Sequence, residues 1–277
     1  MKLKKDQIVG ANYHYTRYSL PYFVKSMERL GVRQIEFYAA DPHLYVENCT
    51  PERAKDIRRR LDDSGIKVAC FTPEQCSYPI NIALDDDYAR SYSVHYYDYT
   101  LEYAAILGSP LVQIVGGRGY FDGDLDGAWE RSKESLRLIT ERAKSYGITI
   151  VLEASSYMTS TVVNNCTHIR QMIDEIGLPN LRGMIDTNAL YKAEEDFETC
   201  VKLLGEDLVH MHFIDATENA YSLIPGTGVL PMAEWMQILA DHGYKGVLTP
   251  ELWGTRYAMD PEDAMKKSLE FCYQYAE

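Results

Sequence analysis

The sequence predicts an α/β protein, a single (β/α)8 TIM barrel that forms one domain over residues 1–277. Glycine placement is the first support. Gly31, Gly65, Gly108, Gly147, Gly177, Gly205 and Gly243 each follow a helix-like stretch and precede an apolar run, at spacings of 34, 43, 39, 30, 28 and 38 residues. Such a residue closes a helix in the left-handed region, and the spacing is that of one βα unit. The runs themselves are the second support, being short and β-branched as strands buried on both faces must be. Third, no Pro/Ser-rich linker or low-complexity stretch divides the chain. Eight right-handed crossovers in succession close a parallel sheet on itself.

In chain order, residues 7–13 supply the first strand. From Asp87, the residues Tyr88, Tyr92, Tyr96, Tyr99, Tyr103 and Ile106 step by four, four, three, four and three, which predicts a helix with this stripe toward the barrel. Aromatic residues at that spacing belong to packing and are assigned no chemistry. Leu136, Ile139, Ala143 and Tyr146 repeat the pattern before Gly147. Residues 148–155 (ITIVLEAS), 181–186 (LRGMID), 208–213 (LVHMHF) and 247–252 (VLTPEL) read as the last four strands. A final helix over 261–275 starts at Pro261, behind Asp260 as N-cap.

Composition excludes several function classes. With 28 Lys and Arg against 41 Asp and Glu, the formal charge of −13 opposes nucleic-acid and anionic-membrane binding. The one dense basic cluster, Arg58 to Arg60, lies among Asp56, Asp62 and Asp63, as on a solvated helix face. Cys49, Cys70, Cys76, Cys166, Cys200 and Cys272 form no CxxC pair and no Cys/His zinc spacing, so they are expected as reduced, mostly packed thiols. The basic start MKLKKDQIVG is followed by no apolar region of signal-peptide length, nor is there a span of membrane length. The expectation is a cytoplasmic protein.

In a parallel barrel the chemistry gathers at the C-terminal strand ends. The candidates there are Tyr13 and His14, Glu36 and His43, Glu74 and Tyr78, the loop 116–120, and then Glu153, Asp186, His212 and Glu251. The last four bring three negative charges to neighbouring strand ends, a conflict that a bound cation resolves. Carboxylate oxygens and one imidazole suit Mn²⁺, Mg²⁺ or Co²⁺, with Zn²⁺ as a further option. His210 shares the face of His212 and lies one layer deeper, as a hydrogen-bonded core histidine. The GGRG loop at 116–119 lacks the Lys-Ser/Thr of a phosphate loop and reads as a plain turn.

The strand ends ITIVLE, GMIDT, HMHFID and TPEL, with IPGTG after the histidine strand, resemble the sugar isomerase/epimerase barrels of the xylose isomerase-like superfamily. Within it the chain is similar to the ketose 3-epimerase group, and the segments FTPEQCSYPINIAL, TVVNN and HFID resemble its fructosamine-acting branch. The resemblance implies that Glu153, Asp186, His212 and Glu251 hold the metal, commonly Mn²⁺, and that Glu153 and Glu251 are the acid/base pair. It further implies inversion of C3 through a metal-bound cis-enediolate, one glutamate taking the proton and the other returning one on the opposite face. The chain departs from the group at Thr159, where a second glutamate usually follows Glu153, at Ala189, where a histidine often follows Asp186, and in the arginine-free loop 216–223. The substrate-facing set expected instead is His14, His43, Tyr78, Tyr157 and Asp215, with Arg118.

Two other readings keep the barrel. A metal-dependent lyase or dehydratase would send the same intermediate to β-elimination on a 3-keto sugar derivative, and a non-catalytic barrel would only bind sugar. An abasic-site endonuclease shares the barrel, but the charge of −13 and the scarcity of further histidines oppose it. The partner expected is a small sugar, and Trp235, Trp253 and Tyr257 are compatible with a homodimer or homotetramer joined near the barrel mouth.

Overall fold

The computed structural model describes residues 2–76 and 79–277. Eight parallel strands pair in chain order: β1 (Gly10–Ala11), β2 (Gln34–Ala39), β3 (Lys67–Pro73), β4 (Leu111–Val115), β5 (Thr149–Glu153), β6 (Leu181–Asp186), β7 (Leu208–His212) and β10 (Val247–Thr249). The ring is closed by a parallel bridge between Ile8 and Leu248, where the Val9 amide donates to the Leu248 carbonyl at 3.0 Å. This is the (β/α)8 barrel that the sequence predicts. A hairpin of β8 (Asp215–Thr217) and β9 (Ala220–Leu223) adds two antiparallel strands inside the loop after β7. All seven predicted helix-closing glycines have positive φ. Gly108 shows why: at φ 73° it ends the helix α3 (Asp87–Leu107) and turns the chain into β4.

The first strand is shorter than the seven residues expected. Asn12 leaves extended geometry, and its side-chain amide takes over the ladder, accepting from the Tyr38 amide at 2.7 Å and donating to the Tyr38 carbonyl at 2.9 Å. The chain then turns, and Tyr13 heads a short 3₁₀ turn that points its hydroxyl at Glu36.

Helix α3 corrects the predicted stripe. Tyr96 and Tyr103 are buried, but Tyr88, Tyr92 and Tyr99 are exposed. The face toward the barrel is instead Ser93, Tyr97, Thr100, Ala104 and Leu107. The tyrosine stripe turns sideways to the segment 46–49, where the Tyr92 hydroxyl donates to Glu47 and that of Tyr103 to the Cys49 carbonyl. In α4 (Leu125–Ser145) the predicted Leu136, Ile139 and Ala143 are fully buried, while Tyr146 beyond its end is exposed. The last helix, α9 (Pro261–Tyr273), has Asp260 as its cap, accepting from the Asp263 amide, and proline in its first turn. No helix among the described residues is long and apolar enough to cross a membrane. The six cysteines are free thiols, four of them buried.

Candidate metal and catalytic centre

Register brings the acids together. Asp186 on β6 pairs with His212 on β7, His212 pairs with Thr249 on β10, and Glu251 follows two residues on. Glu153 ends β5, next to β6. The Nδ1 atom of His212 is the common point: Glu153 Oε1 lies 3.0 Å from it, Glu251 Oε2 3.4 Å and Asp186 Oδ2 3.7 Å. Donors sharing one ion at bonds of about 2.1 Å sit roughly 3 Å apart. Glu153, Asp186 and His212, each offering an atom within 4.8 Å of the others, suit a hard or borderline divalent cation, while Glu251 approaches His212 but lies outside that group. Asp186 serves twice, because its Oδ1 accepts from the Ala189 amide at 2.6 Å and caps the short helix α6 (Thr187–Lys192).

Electrostatics describe the same cluster. Burial and the neighbouring Glu153 push the Asp186 carboxyl up to about 6. Burial, with Asp186 and Glu153 beside it, also raises Glu251 well above the carboxylate range, although His212 opposes this. His212 goes the other way. Burial disfavours its imidazolium, yet Glu251, Glu36 and Glu153 outweigh burial and raise it well above an ordinary histidine. Protons thus hold positions that a cation could take.

A layer below, Glu36 organises the ring. It is fully buried, and its carboxylate meets His212 Nε2 at 3.0 Å and His210 Nε2 at 2.9 Å while accepting from the Tyr13 hydroxyl at 2.8 Å and from Thr72. Burial works against its charge, but the two imidazoles prevail and hold it well below the usual range. With Glu36 on Nε2, the His212 tautomer that carries its proton there leaves Nδ1 free to ligate. His210 takes the deeper, hydrogen-bonded place expected of it. Glu36 also groups with Cys70 and His210, but its oxygens are already committed.

Sequence reasoning missed the support beneath Glu153. Gln113 on β4 donates to Glu153 Oε2, and Gln75 after β3 donates to Gln113 Oε1. The direction of this chain is fixed at its far end, where Gln75 Oε1 accepts from the Val115 amide at 3.0 Å and from the Tyr97 hydroxyl. An amide oxygen held by a backbone donor leaves its NH₂ to point onward, so Glu153 receives a donor. A glutamine inside the apolar run LVQIV is the only trace of this in the sequence.

The residues expected to face substrate divide. His14 is buried, with Nε2 3.0 Å from the Pro261 carbonyl, so it ties the 3₁₀ turn after β1 to α9. His43 is buried as well, accepting from Asn12 at 2.8 Å through Nδ1, with Nε2 2.9 Å from the Tyr18 carbonyl. Asp215 takes four backbone amides, those of Ala216, Gly226, Gly228 and Leu230, and organises the loop behind the hairpin. The polar atoms of His43 and Asp215 are engaged within the protein, whereas the buried Nδ1 of His14 has no hydrogen-bond partner among the described residues. Tyr157 and Arg118 stay on the mouth loops: Tyr157 is half exposed and stacks on Phe121 at 5.4 Å, and the Arg118 guanidinium has no partner among the described residues. Tyr78 lies outside the described residues. Of the proposed interface aromatics, Trp235 is buried against Phe197, whereas Trp253 is exposed. The GGRG loop is a plain loop, its Arg118 and Gly119 amides donating to Asn81 and Thr161. A cavity of about 960 Å³ opens at the opposite end of the barrel, lined by Lys67, Leu111, Leu208 and Lys245 among others, but it holds none of the converging ligands. The converging acids and imidazole therefore make the C-terminal mouth the candidate site.

A parallel barrel carrying three acids and an imidazole at its C-terminal strand ends defines a class of barrel with a cation-competent centre. The chain belongs to the xylose isomerase-like TIM barrel family, whose model matches residues 24–275. It is 26% identical to the fructoselysine 3-epimerase of Escherichia coli O157:H7 over 259 residues, 92% of this chain and 93% of that protein. It is 23% identical to the D-psicose 3-epimerase of Enterocloster bolteae over 269 residues, 91% of this chain and 85% of that one. The crystal structure of D-psicose 3-epimerase with D-tagatose from Clostridium cellulolyticum H10 superposes with a TM-score of 0.79 at 18% identity, covering all of both chains.

Proposed function

We propose that this chain is an isomerase, a divalent-metal-dependent sugar 3-epimerase acting on a ketose or a fructosamine-like sugar. The observation that carries the reading is the approach of Glu153 and Glu251, from different strands, to one imidazole nitrogen. Two carboxyl groups so placed can address the two faces of one carbon, and the names of the relatives supply the substrate class. Glu153, Asp186, His212 and Glu251 would hold the ion, Mn²⁺ being our first choice, and when bound it supplies Lewis-acid polarisation of the sugar carbonyl.

The chain's own groups do the rest. One glutamate removes the C3 proton and the other returns a proton on the opposite face. Gln113 fixes Glu153 from behind with a hydrogen bond, whereas the one ion-pair partner of Glu251 among the described residues is His212, so the two carboxylates are held differently. Glu36 keeps the His212 ring in place. Arg118 and Tyr157 are the rim residues we assign to substrate.

The test is solvent exchange. In D₂O with Mn²⁺, a ketose or fructosamine substrate should gain deuterium at C3, and Glu251→Gln should lower turnover by about 10²–10⁴-fold while the circular dichroism is retained. No exchange with any ketose or fructosamine, in protein shown to contain metal, would sink the assignment. Loss of a substituent or of water instead would turn it to a lyase.

A further inference from the structure

We propose that Cys166, Glu195 and Cys200 form a second metal site, separate from the acid cluster and suited to a thiophilic divalent cation of the Zn²⁺ type. Cys166 opens α5 (Cys166–Ile176), Cys200 lies in α7 (Phe197–Leu204), and Glu195 sits in the link before α7. One ligand atom from each lies within 4.8 Å of the others. Tetrahedral zinc with bonds of about 2.3 Å sets two sulfurs roughly 3.7 Å apart, so closing the site takes an adjustment of at most about 1 Å.

Four features separate this cluster from ordinary packing. The Glu195 carboxylate has no ion-pair partner among the described residues, although it faces two buried thiols. Both of its oxygens meet the Cys166 amide, at 3.0 and 2.9 Å, where one would satisfy that donor and free the other for an ion. Beside it lies a void of about 10 Å³ bounded by Cys166, Glu195, Asn164, Ala154 and Asp186, with room for a single water as fourth ligand. His168 lies two residues beyond Cys166 on α5, and its buried Nδ1 is without a hydrogen-bond partner among the described residues.

The chemistry is balanced by protons alone. Each thiol releases one proton to solvent as its sulfur binds, and no oxidant takes part. Sulfur also separates this site from the acid cluster, which offers only oxygen and nitrogen and so favours harder ions. The ion would tie α5 to α7, across the void from Asp186.

Cobalt distinguishes the two centres, because only thiolate ligands give an intense near-ultraviolet sulfur-to-cobalt band. Reduced, metal-free protein titrated with Co²⁺ should show this band, reaching its maximum at one equivalent in Asp186→Asn, where the acid cluster is impaired. Cys200→Ser should abolish the band and lower Zn²⁺ uptake by one per chain, with sugar turnover unchanged. Absence of the band when thiol titration shows both cysteines reduced would overturn the site, as would its persistence in Cys200→Ser. Should Cys200→Ser fail to fold, the Asp186→Asn titration decides alone. A disulfide between the two cysteines that, once reduced, binds no metal would also overturn it.

Discussion

Gln113 shows how a neutral side chain can set the behaviour of a charged one. Its amide nitrogen is committed to Glu153, and reversal is blocked because the Val115 amide fixes Gln75 one step earlier. Gln113→Leu should therefore weaken Mn²⁺ binding by about 10–100-fold, read by calorimetry, the range expected when a group orienting a ligand is lost. Equal affinity in the variant would show that Glu153 needs no such support. His14 makes a separate prediction about pH. Burial lowers it from 6.5 to about 4, the Pro261 carbonyl opposing only in part. The unfolded chain then binds a proton that the folded one refuses between these values, so stability falls as pH drops from 6.5 to 4. The loss attributable to His14 is about 3 kcal/mol by linkage. Urea unfolding at pH 7 and pH 4.5 should show this dependence flattened in His14→Gln. An unchanged slope would remove His14 as its source.

Among the elements, what the sequence made legible and what it hid have separate physical causes. Strand ends were readable because a charged residue closing an apolar run has few structural uses, and β6 begins and ends where expected. Helix stops were readable because left-handed backbone favours glycine. The orientation of α3 was hidden. Its tyrosine stripe and its true inner face are both helical in period, and only the neighbouring segment 46–49 decides which turns inward. Asn12 and Asp215 were hidden for another reason: a polar side chain that bonds backbone looks, in sequence, like one awaiting a ligand. Asp215→Ala separates the two roles. Four amides would lose their acceptor, so unfolding free energy should drop by several kcal/mol, hydrogen bonds to a charged group contributing about 1.5–3 each. A substrate role alone would instead raise KM at unchanged stability.

At the scale of the whole molecule, the centre is a concentration of negative charge in a chain already at −13. An ion there should stabilise the fold, by about 2.7 kcal/mol at a hundredfold excess over Kd, visible as a rise of several degrees in Tm. Because Asp186 is protonated below about 6, metal must displace that proton, and the rise should shrink as pH falls from 7 to 5. A Tm indifferent to Mn²⁺ at pH 7 would count against the centre. The wall around this charge is uneven. β5 is paired over five residues with β4 and four with β6, whereas β3 meets β4 through the single pair Phe71–Val112 and β10 meets the start of the chain at the Ile8–Leu248 bridge. Glu153 ends the well-paired β5, and Glu251 lies two residues beyond the last paired residue of β10. Glu153 is in effect a post braced from behind through Gln113, and Glu251 a cantilever standing out beyond the end of its strand.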